Sequence, residues 1–420
     1  MEQLILTVFL ALFALEFIVE FGLNELNLRH VQAAGSVKKL PDFFQSKIEP
    51  DDYDRSVQYT LAKGRFQRWN EVYDRLITLG IILGALAYLD RLTGEIARSI
   101  SLGSYGHGIM FCLAVGFIVT LANLPMDLYS TFWLEAKFGF NKTTVGLYIV
   151  DKIKGLILGL ALGVPFLFVI LWLMNAMGDH WWLWALLFIT LFELLMMVIF
   201  PTWIAPWFNK FEPLKEGEFR ERILALADQV GFQTSGIYTM DGSKRSAHSN
   251  AYFTGIGRAK RIVLFDTLIE QMTTDQGLAV LAHEMGHYKM KHIRRMLAVQ
   301  IILLFIGLYL LSVLLKTPAF FDAFGLIPSN HAALVLFVLI SGPATFYLGP
   351  LLNRLSRKHE YEADRFAAVT LHDGKPMEEA LVNLTVKNLS NLNPHPWYSA
   401  YHYSHPTPAE RINAIRQCPA

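Results

Sequence analysis

Seven apolar runs constrain this chain more than anything else in it. Residues 4–23, 106–124, 155–177, 181–200, 296–315 and 333–352 stay apolar for about the length a helix needs to cross a bilayer; residues 76–89 form a shorter seventh run. In lipid the backbone must satisfy its own hydrogen bonds, so such runs are read as helices. Composition agrees, with 53% hydrophobic and 17% charged residues against the roughly 25% charged of soluble domains. Lys+Arg 37 against Asp+Glu 36 argues against a nucleic-acid partner, and two cysteines, Cys112 and Cys418, exclude a disulfide framework or a cysteine metal site. The first run opens on acidic Glu2 and is too long for a signal-peptide core, so it reads as a retained span. It carries Glu16 and Glu20 on one face, and carboxylates in a span face a protein interior or water. Pro165 predicts a kink, Pro343 lies inside the seventh run, and Pro201 closes the fifth.

Basic residues set the orientation. The segments after spans one, three and five are long or rich in Lys and Arg, as in the polar loop 24–75 (Arg29, Lys38, Lys39, Lys47, Arg55, Lys63, Arg65, Arg68, Arg75) and at Lys137, Lys142, Lys152 and Lys154. The segments after two, four and six are poorer, and the tail is basic again from Arg354. This alternation puts the N-terminus outside, with the fifth loop and the tail in the cytoplasm. The fifth loop, 202–295, is the one large soluble insertion. A helix is predicted over 216–230 and short strands over 236–240, 251–256 and 261–265.

A helix carrying His283-Glu284-Met285-Gly286-His287 follows. Imidazoles at i and i+4 share one helix face and can grip one ion, while Glu284 reaches its open side. Thr273 to Gln276 reads as a capping box, and Leu278, Leu281, Ala282 and Met285 form the buried side. Two rings plus one carboxylate make a catalytic zinc set with a position left for water, whose pKa falls to about 7. The third ligand must lie on the same membrane face. Two spans separate His287 from the tail, and an even number returns the chain to that face. There Glu360 and Asp364, at i and i+4, share one side of a predicted helix with Glu362 nearly opposite. Glu360 is assigned as the third ligand and Asp364 as the carboxylate that accepts the free ring N–H of a ligand histidine. The basic cluster Lys289, Lys291, His292, Arg294 and Arg295 reads as an interface anchor. The chain thus divides into residues 1–201, 202–295, 296–352 and 353–420.

Joined in this way, the motifs resemble those of the gluzincin type of integral-membrane metalloprotease. Leu128-Tyr129-Ser130-Thr131-Phe132, Lys137 to Lys142 (KFGFNK), Ser243 to Tyr252 (SKRSAHSNAY), Ile262 to Leu268 (IVLFDTL) and Tyr403-Ser404-His405-Pro406 resemble the type I CAAX prenyl proteases over nearly the whole chain. The resemblance implies an all-α membrane protein whose seven transmembrane helices form a barrel around a water-filled chamber. A small α+β zinc metalloprotease insertion then sits on the cytoplasmic side. It implies one Zn²⁺ per chain on His283, His287 and Glu360, with Glu284 catalytic. Asn250 falls on the family's substrate-strand asparagine, and His405 on the histidine of its C-terminal motif. Its eukaryotic members remove the last three residues of prenylated CAAX proteins. A short loop between spans six and seven, and no closing retention signal, point to a bacterial inner membrane.

The expected chemistry is peptide hydrolysis, with Glu284 moving the water proton to the leaving amine. His405 is the first candidate donor to the oxyanion and Arg411 the second. An extended peptide, its C-terminus prenylated or not, could add to the strand after Asn250. Membrane lipid is the other expected partner. A membrane quality-control protease of the HtpX type shares the zinc motifs but has fewer spans. A transporter with a structural zinc would not need Glu284.

Overall fold

The computed structural model describes residues 1–37, 40, 44, 45, 47–255 and 260–418. Lys38, Lys39 and the predicted strand end at Ile256 lie outside the described residues. Seven helical segments are long and apolar enough to cross a membrane: Glu2–Ser36, Pro50–Ser99, Gly103–Glu135, Val145–Ala176, Gly178–Phe208, His292–Leu315 and Asn330–Leu371. Six contain an expected run whole and the fourth all but Met177, and each extends beyond its run. The largest correction concerns the polar loop 24–75. Its sequence carries the first helix on to Ser36 and builds most of the helix Pro50–Gly80. Ion pairs hold these polar extensions together, Glu25 with Arg29 at 2.6 Å and with Arg68 across the two helices. Hydropathy finds only the part of a helix that lipid touches. Pro201 does not close the fifth span either. The chain runs through a π-turn, Phe200–Ile204, into Ala205–Phe208. Pro165 lies inside one continuous helix, Val145–Ala176.

Each span touches the next, and the seventh returns to the first, so the spans close a ring. Their most apolar windows are only 6–33% buried, far less than a packed bundle requires. A wall of helices around a chamber, the arrangement the family resemblance implies, leaves spans this exposed. Glu16 is buried in this wall and bonds Arg75 at 2.7 Å. Most of the buried membrane core gathers at one end. Phe9 and Phe13, Ile82 and Leu86, Phe111, Leu171, Trp181, Leu311 and Leu336 pack there with the short helix Pro318–Asp322. These residues come from the starts of spans one, three, five and seven and the ends of two, four and six. They plug the end opposite the fifth loop.

At the other end sits a four-stranded sheet in the order β1-β2-β4-β3. β2 (Gly236–Met240) and β4 (Arg261–Phe265) have the expected bounds and pair in parallel. β3 (Ala251–Thr254) runs antiparallel to β4 and forms one edge. β1 (Phe211–Pro213) was not expected; it is a three-residue strand ending in proline, too short to show alternation. β4 is one of the two inner strands and buries Ile262, Val263 and Leu264. The sheet packs on the helices Glu218–Gln229 and Thr274–Lys289.

Candidate metal centre

The helix Thr274–Lys289 begins at the expected capping box: Thr273 Oγ1 accepts from Gln276 N, and the Gln276 side chain returns to Thr273 N. It packs closely on Gly349–Leu371, the helix that continues the seventh span. Gly286 allows this approach, since a Cβ there would meet Ala363 Cα at 3.1 Å and Phe366 Cβ at 3.2 Å. The spacer in His-Glu-x-x-His thus also sets the helix separation. Gly286→Val is expected to cost about 1–3 kcal/mol of stability through overpacking and to weaken metal retention. Elemental analysis together with thermal unfolding checks this, and unchanged metal content would count against it.

The close approach brings together three donors from two helices. His283 Nε2 and His287 Nε2 are 3.1 Å apart. Glu360 lies 3.5 Å from the first through Oε2 and 3.3 Å from the second through Oε1. Ligands about 2.1 Å from a tetrahedral ion stand about 3.4 Å from each other, so these residues fit one such ion. Glu360 is 3% exposed and His283 5%. Burial alone would discharge the His283 ring, but the Asp364 and Glu360 carboxylates outweigh it and raise its pKa to about 9. The pocket therefore favours positive charge at that ring. Burial also pushes the Glu284 carboxyl above the ordinary range, against the lowering pull of both histidines. A carboxylate with raised proton affinity is the better general base.

Around the donors stands a second layer. Asp364 Oδ1 lies 2.8 Å from His283 Nδ1, the contact expected from the sequence. Arg411, the second candidate donor to the oxyanion, is engaged with the protein itself. Its Nε and Nη2 donate to Asp364 at 2.8 and 2.6 Å, and Nη1 is 3.4 Å from Glu360. His405 Nδ1 is 2.9 Å from Glu360 Oε2 while its side chain is 64% exposed, lining a cavity with Asn391, Tyr403 and Arg411. Asn250 stands just before edge strand β3, its Oδ1 accepting from Ala251 N. No contact joins it to the donor cluster among the described residues. Sequence reasoning missed His292 and Glu362. His292 Nδ1 lies 3.0 Å from His287 Nδ1, and its Nε2 2.9 Å from Glu362. His292 looked like one more basic residue at the membrane border, and nothing in its spacing from His287 marks the pair.

Comparison with known proteins gives the same result. Residues 28–210 match the family model described as the CAAX prenyl protease N-terminal region of five membrane helices, and residues 213–418 match peptidase family M48. The CAAX prenyl protease 1 of Saccharomyces cerevisiae is 36% identical over 406 residues, covering 90% of this chain and 89% of its own. The Arabidopsis thaliana homologue is 39% identical, with 93% of each chain covered. The crystal structure of S. mikatae Ste24p superposes with a TM-score of 0.88 at 35% identity, covering 99% of this chain and 98% of that one. The chain belongs to the type I CAAX prenyl protease family. It is an integral-membrane metalloprotease, and the transporter reading falls. The five-helix N-terminal match and the seven spans likewise favour this family over the HtpX type.

Proposed function

We propose that this chain is a zinc endopeptidase that trims the C-termini of membrane-bound substrates, prenylated CAAX ends first among them. The observation that carries the reading is the convergence of His283, His287 and Glu360 at tetrahedral spacing beside Glu284. Two imidazoles and a carboxylate suit zinc. When bound, zinc would supply a Lewis acid for the scissile carbonyl and lower the pKa of water.

The chain's own residues do the rest. Glu284 accepts the water proton and returns it to the leaving amine. Asp364 accepts Nδ1–H of His283, which leaves Nε2 as the lone pair facing the site. His292, backed by Glu362, orients the ring of His287 in the same way. Arg411 balances the paired carboxylates. Exposed on the cavity wall, His405 suits the oxyanion donor. The free edge of β3 suits an extended peptide, with Asn250 at its start. The proteolytic unit comprises the insertion 202–295 and the tail from 353.

The site faces the cytoplasm in this reading. Arg245 and Lys154, both from basic segments, lie at the chamber end that carries the sheet, bonding Asp151 and the Trp207 carbonyl. The short link between spans six and seven supports a bacterial cell membrane, although the curated relatives above are eukaryotic. Purified protein is expected to cleave a farnesylated CAAX peptide faster than the bare peptide, to stop on chelation and to resume with Zn²⁺. Product mass spectrometry reads this, and cleavage at full rate in chelator would remove the metal from the mechanism.

A further inference from the structure

A second group of histidines and a carboxylate converges at the far end of the chamber. Asp90 is near the end of the second span, His107 near the start of the third and His331 near the start of the seventh. Asp90 Oδ1 lies 2.9 Å from His331 Nε2 and 3.2 Å from His107 Nε2. One ligand atom from each of the three residues lies within 4.8 Å of the others, as in the His283–His287–Glu360 group. The sequence offers no hint of this, because the three residues are scattered and fit no motif.

The site is built into the plug of buried side chains. A Cβ on Gly94 would meet the His107 ring at 3.2 Å, and one on Gly108 would meet His331 Cβ at 3.1 Å. Two glycines thus make room for two imidazoles, whose ring centroids are 4.5 Å apart. Asp90 is 7% exposed, and no lysine or arginine pairs with it among the described residues. A buried carboxylate needs a compensating positive charge. Among the described residues its carboxylate pairs only with two imidazoles, which carry no charge when neutral. His107 Nε2 also lies 3.0 Å from the Asp90 carbonyl, and His331 Nε2 3.2 Å from Ser329 Oγ, so oxygens surround the same space.

We propose that Asp90, His107 and His331 form a second divalent transition-metal site that ties spans two, three and seven together. Two imidazoles and one carboxylate select a zinc-class ion over calcium or magnesium. One ion on these three residues would cross-link spans two, three and seven at the plugged end of the chamber. The role is structural: none of these residues belongs to the peptidase site, which lies at the opposite ends of the spans.

The test is metal stoichiometry on the full chain, stripped with chelator and dialysed against Zn²⁺. Two ions per chain are expected in wild type, one in His331→Ala and one in Glu360→Ala. Asp90→Asn keeps the volume and hydrogen-bonding capacity but removes the charge, so it should also hold one ion even if His331→Ala does not fold. Zn²⁺ should raise the melting temperature of Glu360→Ala and not that of the Asp90→Asn, Glu360→Ala double variant. One ion in wild type, or two that persist in Asp90→Asn, would overturn the site and leave a proton-shared hydrogen-bond staple. Neither result touches the His-Glu-x-x-His centre, which is read separately by peptide cleavage.

Discussion

Glu284→Gln is expected to keep the metal content of the wild type and to lose about 10²–10⁴-fold in kcat, the usual contribution of a positioned general base. The substitution nearly preserves shape and leaves His283, His287 and Glu360 untouched, so the donor spacing should survive. What it removes is the carboxylate beside the donors that burial leaves with a raised affinity for a proton, where the cationic partners of Glu360 and Asp364 pull those two down. The uncharged amide cannot take that proton. KM should move little, because the role proposed for Glu284 is to serve the reacting water and not to hold the length of the peptide. Metal analysis and steady-state cleavage on the same preparation decide the matter. Native turnover would strip Glu284 of its role, and lost metal would make it a ligand instead.

The parts legible in the sequence were those with a local physical signal. β2 and β4 were bounded correctly because each is a short apolar run between turn residues. The His-Glu-x-x-His helix was legible because its cap and its apolar side agree. Glu360 could be found because counting spans restricts which segment can share a membrane face, and i,i+4 spacing then restricts which residue. Signals that depend on two elements meeting were not legible. The polar helical stretches before and after residue 40 carry too many charges for hydropathy to mark them, and their pairing through Glu25 and Arg68 appears only once they are side by side. Arg411 looked free to meet substrate because its partner Asp364 is 47 residues away. His292 reaches His287 only because the chain turns at Lys291, whose φ of 61° breaks the helix between them. That left-handed residue swings the next helix so that its first imidazole faces back on the site.

Glu360→Ala is expected to lose the metal of the peptidase site, and cleavage should fall to background. Two imidazoles alone seldom hold a catalytic ion, and here they would do so next to a positive charge. Arg411 Nη1 lies 3.4 Å from the Glu360 carboxylate, so without that carboxylate the guanidinium would face the vacated position and repel a cation. The loss of affinity should therefore exceed the roughly 10–100-fold seen when an outer hydrogen-bond partner is removed. The fold should persist, since Asp364 still balances Arg411 and alanine is the best helix former at a helical position. Circular dichroism should thus match wild type while elemental analysis reports one ion fewer. A subtler outcome separates ligand from neighbour. Glu360→Asp keeps the charge that offsets Arg411 but withdraws the oxygens by one methylene, so it should bind metal weakly and recover activity only in excess Zn²⁺. If Glu360→Ala retained its full complement of metal, Glu360 would serve only to balance Arg411 and His405, and another group would have to complete the donor set.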